Sequence, residues 1–111
     1  LHLDYAAMLG EGIVLYPHFQ RQVIPGWLDK GLKRRHGASA FLDNVVLLAP
    51  NPDWVRSLPR AKLPDRDDFK HYGDDVPARA AAWQRAIAAS ARLRDEFALA
   101  CARDSIDALP L

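Results

Sequence analysis

The chain has 111 residues, 50% apolar and 26% charged, and its 15 Lys+Arg against 14 Asp+Glu leave a net charge of +1. That is enough for one small domain burying roughly 60–70% of the surface its unfolded form exposes, and the composition excludes disorder, collagen and a coiled coil. No apolar run approaches the ~20 residues of a membrane helix, the first residues lack the form of a secretory signal, and near-zero charge argues against a dedicated nucleic-acid binder.

The single cysteine, Cys101, cannot form an internal disulfide, which favours a reducing, cytoplasmic setting. Arg outnumbers Lys eleven to four and Ala is abundant, a bias expected of a GC-rich bacterial genome. The sequence opens on Leu1 rather than Met, which suggests a segment of something longer or a processed product.

In chain order, residues 1–9 have helical spacing and are followed by Gly10 and Gly12, which punctuate a helix end. Residues 12–16 form a short apolar run without polar alternation, stopped by Pro17. Such a run predicts a strand covered on both faces, as in a parallel sheet. Pro25 and Gly26 open a predicted helix over 25–35, with Leu28 and Leu32 on one face and Gly37 as its stop. Lys30, Lys33, Arg34, Arg35 and His36 gather at its C-terminal end, where the helix dipole favours positive charge; that explains the cluster without a ligand.

Residues 45–48, Val-Val-Leu-Leu, give the strongest predicted strand. The two dozen residues between the two strands hold one helix, as a parallel crossover requires and a hairpin does not. The expected unit is therefore βαβ with parallel strands. Asn51-Pro52-Asp53 starts a short helix over 53–58, ended by Pro59. Residues 59–75 read as a long charged loop with one helical turn near 67–72, and Leu63, Phe69 and Tyr72 are the side chains able to pin it.

The last predicted element is a long amphipathic helix over 76–102, capped by Asp74 or Asp75 with Pro77 in its first turn. Trp83, Ile87, Ser90, Leu93, Phe97 and Cys101 share the face expected to pack, so Cys101 reads as a small core hydrophobe. Arg85, Arg92, Glu96 and Arg103 share the other face. Asp75 with Arg79, and Arg92 with Glu96, are spaced for i,i+4 pairs. Trp27, Trp54 and Trp83, one in each proposed helix, are expected to pack rather than stack on bases.

Two strands covered on both faces do not make a stable sheet by themselves. The chain is therefore expected to be a single α/β domain or the C-terminal segment of a larger one, completed by the rest of its parent chain or by another copy. In parallel sheets ligands lie beyond the carboxyl ends of the strands. The loop after the first strand offers His18 as a general acid or base, because a histidine with a pKa near 6.5 exchanges protons close to neutrality. It also offers Arg21, whose planar fork suits a carboxylate or phosphate. The loop after the second strand offers Asn51 and Asp53 as substrate-binding residues, with helix capping as the plainer role for Asn51.

No metal or cofactor is expected. Asp65, Asp67, Asp68 and His71 match no calcium loop, Arg66 interrupts them, and acidic residues belong at a helix start. The four histidines and one cysteine are too scattered for a zinc motif. His36-Gly37-Ala38-Ser39-Ala40 precedes a strand and so is no nucleophile elbow, and Gly10-Glu11-Gly12 lacks the third glycine of a dinucleotide turn. The expectation for function is a terminal portion of a cytoplasmic bacterial α/β enzyme, a hydrolase or transferase acting on a small anionic or ester substrate. The alternative is a non-catalytic module for protein interaction or oligomerisation.

Overall fold

The computed structural model describes residues 11–23, 40–103 and 107–110. The chain divides into two compact units, residues 1–49 with 107–111 and residues 50–106. The helices expected over 1–9 and 25–35, with the basic cluster and Trp27, lie outside the described residues.

In the first unit, β1 (Val14–Pro17) pairs with β2 (Val45–Leu48) in parallel, Val14 opposite Val45 and Pro17 opposite Leu48. The β-branched and leucine side chains of both segments suit a pleated surface, and their separation in sequence is long enough for the crossover that a parallel pair needs. Pairing begins where Val14 N–H donates to Asn44 O at 2.8 Å, and the Asn44 amide reaches back to Gly12 O at 3.2 Å. A short 3-10 turn, Ala40–Leu42, leads into β2. The sheet differs from expectation on one face of β1. Leu15 is exposed and Ile13 is 72% exposed, while Val14 and Tyr16 on the opposite face are half-buried. An unalternated apolar run predicts cover on both sides; among the described residues the sheet has two strands, and β1 is half-buried on one face and exposed on the other.

The second unit is helical. Helix α1 (Pro52–Arg56) begins as the sequence dictates: the Asn51 side chain accepts from Asp53 N–H at 2.8 Å, and Pro52 takes the first-turn position, where no donor is needed. A 3-10 turn (Pro59–Ala61), helix α2 (Asp67–Tyr72) and helix α3 (Val76–Ala89) follow. Acidic Asp67 and Asp68 sit in the first turn of α2 and Lys70 and His71 in its last, in agreement with the dipole. Gly73 ends α2 with φ 53° and ψ −126°, a conformation that a Cβ would strain. Asp75 caps α3, its carboxylate accepting from Ala78 N–H at 3.0 Å.

The terminal helix is interrupted at Ser90, beyond which α4 spans Ala91–Ala102. Ser90 keeps a helical backbone (φ −66°, ψ −15°), and its hydroxyl donates to Ile87 O at 2.6 Å. A side-chain bond of this kind draws the carbonyl out of the helical ladder and bends a helix locally. The packed face is also displaced from the one that the large side chains mark. Ala82 and Ala86 are buried, with Leu58, whereas Ile87 is 69% exposed and Cys101 is exposed. Small alanines let α3 approach its neighbours closely, so the face nearest them is the alanine face. Cys101 is therefore no core residue. Neither i,i+4 ion pair forms among the described residues: Asp75 is engaged in capping and the Arg79 guanidinium lies 4.1 Å over the Phe69 ring.

Candidate functional site

The parallel register brings both strands to their carboxyl ends on one edge of the sheet. His18 stands at that edge. Its N–H donates to Leu48 O at 2.8 Å, carrying the strand pairing one residue beyond β1. The half-buried imidazole is held by the turn that follows: Nδ1 lies 3.2 Å from Gln20 O and 3.3 Å from Gln20 N. Tyr16 stacks on the same ring with centroids 5.5 Å apart and planes 15° apart, and Phe19 stacks on it at 4.3 Å and 27°. Tyr16 and His18 meet because residues two apart on a strand project to one side. No hydrogen bond engages Nε2 among the described residues. Arg21 follows in the same turn and is exposed.

Asn51 and Asp53 belong to the second unit. The Asn51 carbonyl oxygen is occupied by the cap of α1, and Asp53, in the first turn of that helix, is ion-paired with Arg56. Both side chains therefore have local structural partners, whereas the His18 imidazole keeps one nitrogen open.

The second unit contains a polar centre that sequence reasoning missed. Asp68, 4% exposed, accepts at Oδ1 from Arg60 Nη1 at 2.5 Å and from Lys62 Nζ at 3.5 Å. Its Oδ2 accepts from Trp83 Nε1 at 2.9 Å and from Asp65 N–H at 3.3 Å. Burial by itself would raise the Asp68 carboxyl. The Trp83 indole, the Asp65 amide, Arg60 and Lys62 outweigh it and hold the group below the ordinary aspartate value. Hydrogen bonding from Lys62 likewise lowers Asp65, and Asp65 raises Lys62. Arg60 reaches Asp68 from an unusual backbone, since Arg60 (φ 61°) and Ala61 (φ 53°) are consecutive left-handed residues other than glycine. Each such conformation costs roughly 1–2 kcal/mol.

A cleft lined by Pro59, Arg60, Asp68, Tyr72 and Trp83 adjoins this centre, with a cavity volume of about 10 Å³. That is room for about one water molecule and none for a substrate. With four donors on two oxygens, the carboxylate has no free valence to offer. No group of three His, Cys, Asp or Glu side chains able to hold a metal occurs among the described residues. Asp65, Asp67 and Asp68 accordingly serve the start of α2 and the Asp68 centre.

No helix among the described residues is long and apolar enough to cross a membrane. No known protein family, curated protein or solved structure matches the chain.

Proposed function

We propose that the chain is a terminal portion of a cytoplasmic bacterial α/β enzyme, a hydrolase or transferase that acts on a small anionic or ester substrate at the carboxyl edge of its sheet. The observation that carries this reading is the position of His18: at the end of a parallel pair, joined to β2 through Leu48 O, with Nδ1 tied to the Gln20 main chain. Nδ1 either accepts from Gln20 N–H or donates to Gln20 O; in the second tautomer, the one the proposal uses, Nε2 carries the lone pair and can take a proton from a hydroxyl or water. After bond formation it returns that proton to the departing oxygen. Arg21 supplies a fork for the substrate's anionic group. The nucleophile is not assigned to this chain.

The same reading makes the strands part of a βαβ unit within a larger sheet. Support comes from the parallel pairing across a long connection and from the exposed Ile13 and Leu15, which further strands or a covering helix would bury. The test is hydrolysis of p-nitrophenyl acetate and p-nitrophenyl phosphate by the full-length protein and by His18→Ala. Loss of acid–base catalysis lowers the rate by roughly 10²–10⁴-fold, with thermal stability nearly intact and the fold retained by circular dichroism. Equal rates for the two proteins, or no turnover of either substrate, refute it.

One observation favours the alternative of an interaction module. Helix α4 has no buried residue, and Phe97 and Leu99 are exposed on it. A helix of this length is marginal in water without a packed face. On this reading α4 docks another subunit, and sedimentation shows a complex that Phe97→Asp dissociates. A monomer at all concentrations rejects it.

A further inference from the structure

The substrate class can be narrowed from the rings around His18, an inference that rests on the proposal that the carboxyl edge is the working site. Tyr16, His18 and Phe19 form a connected aromatic row, with centroid separations of 5.5 and 4.3 Å and planes within 27° of parallel. Phe19 ends the row and is 64% exposed. An aromatic ring left this open presents an apolar π surface to water. A further planar ring laid on it gains apolar contact and an offset-stacked geometry. A saturated ring or an alkyl chain gains only part of this.

The second element is charge. Arg21 lies two residues beyond Phe19 and is exposed. Their Cα atoms are separated by at most about 7 Å, and the arginine side chain extends further. An anionic group joined to a stacked ring by a short spacer therefore falls within the reach of Arg21. The open Nε2 of His18, whose ring contacts Phe19, belongs to the same turn. We infer that this edge binds a small anion bearing a planar aromatic ring, the ring stacked on Phe19 and the anionic group paired with Arg21. A nucleoside monophosphate has this form.

The test is calorimetric titration of the full-length protein with AMP, adenosine and ribose 5-phosphate. AMP is expected to bind tenfold or more tightly than either fragment. Phe19→Ala should weaken AMP by roughly 5- to 150-fold, the effect of one base–aromatic stack, while leaving ribose 5-phosphate unchanged. Phe19→Trp should retain AMP binding, and Arg21→Ala should reduce it towards that of adenosine. Because Phe19 is largely exposed, its replacement removes little packing. Failure of AMP to bind, ribose 5-phosphate binding as tightly as AMP, or an unaltered affinity in Phe19→Ala overturns the inference. Titration needs no turnover, so AMP binding by a protein inert in the ester assays refutes the enzymatic reading alone. Turnover without AMP binding refutes the ring site alone.

Discussion

Replacement of Asp68 by Asn tests whether one buried carboxylate organises the helical unit. The substitution keeps shape and removes charge. Asp68 accepts four hydrogen bonds, two of them close, from Arg60 at 2.5 Å and Trp83 at 2.9 Å, and two long, from Asp65 N–H at 3.3 Å and Lys62 at 3.5 Å. An amide has one acceptor oxygen, so its NH₂ must face either the two cations or the indole and amide donors. Breaking a buried pair on one side costs about 3–5 kcal/mol. Here the two long bonds place the expected loss near the lower limit, about 3 kcal/mol. With a urea m-value of about 1–3 kcal/mol/M, the midpoint should fall by roughly 1–3 M. Circular dichroism over a urea series reads this directly, with Trp83→Phe as a milder companion that removes one donor at a cost of about 1 kcal/mol for the hydrogen bond. A shift in Asp68→Asn of less than about 1 kcal/mol, within the usual range of a single neutral hydrogen bond, refutes the central role.

The same centre fixes the acid limb of stability. Because the Asp68 and Asp65 carboxyls are depressed on folding, their contribution is complete above the unfolded value near 4 and is lost as pH falls through the lower folded values. The urea midpoint should therefore decline only below about pH 4, and Asp68→Asn should flatten that decline; an unchanged acid limb contradicts the assignment. Lys62, raised on folding, contributes below its unfolded value, and that contribution is lost as pH rises through the higher folded one. Ala61→Gly relieves a left-handed alanine and should stabilise by up to about 1 kcal/mol after the entropy of glycine is set against the strain; destabilisation would show that the alanine methyl makes a needed contact. Asn51→Ala removes the cap of α1 and should cost about 1 kcal/mol, and amide exchange in residues 52–56 should rise with it.

The elements with local causes were legible in the sequence. β2 was predicted at its observed bounds, β1 within two residues of its own, and the Asn51 and Asp75 caps follow from side chains that reach a main-chain donor two or three positions on. The turn of helix inside the long charged loop was legible from its aspartates, which belong at a helix start. The packed face of the terminal helix was not. Large side chains mark the stripe through Ile87 and Cys101, but close approach selects the face that carries Ala82 and Ala86. At the sheet edge, the expectation that ligands lie beyond the strand ends singled out the loop with His18, while the contact of His18 with Phe19 depends on how the chain turns after Pro17 and has no periodic signature.

Asp68 was illegible for a different reason, and that reason bears on what it does. In the sequence it is one of three aspartates at a helix start. What distinguishes it comes from Trp83, fifteen positions away, and from Arg60, which faces it only because two residues after Pro59 turn left-handed. Strain of this kind often marks a catalytic or ligand-binding position, and the inference has to run from the outlier to its use. Here the use is visible. The strained turn delivers a guanidinium to a carboxylate whose two oxygens are already engaged, beside a cavity of about 10 Å³. A working acid or base needs an open valence and space for a reactant. His18 Nε2, at the carboxyl edge of the sheet, has the first of these; Asp68 has neither. The buried carboxylate therefore belongs to the architecture of the helical unit, and under the proposed function the histidine is the group that would carry the chemistry.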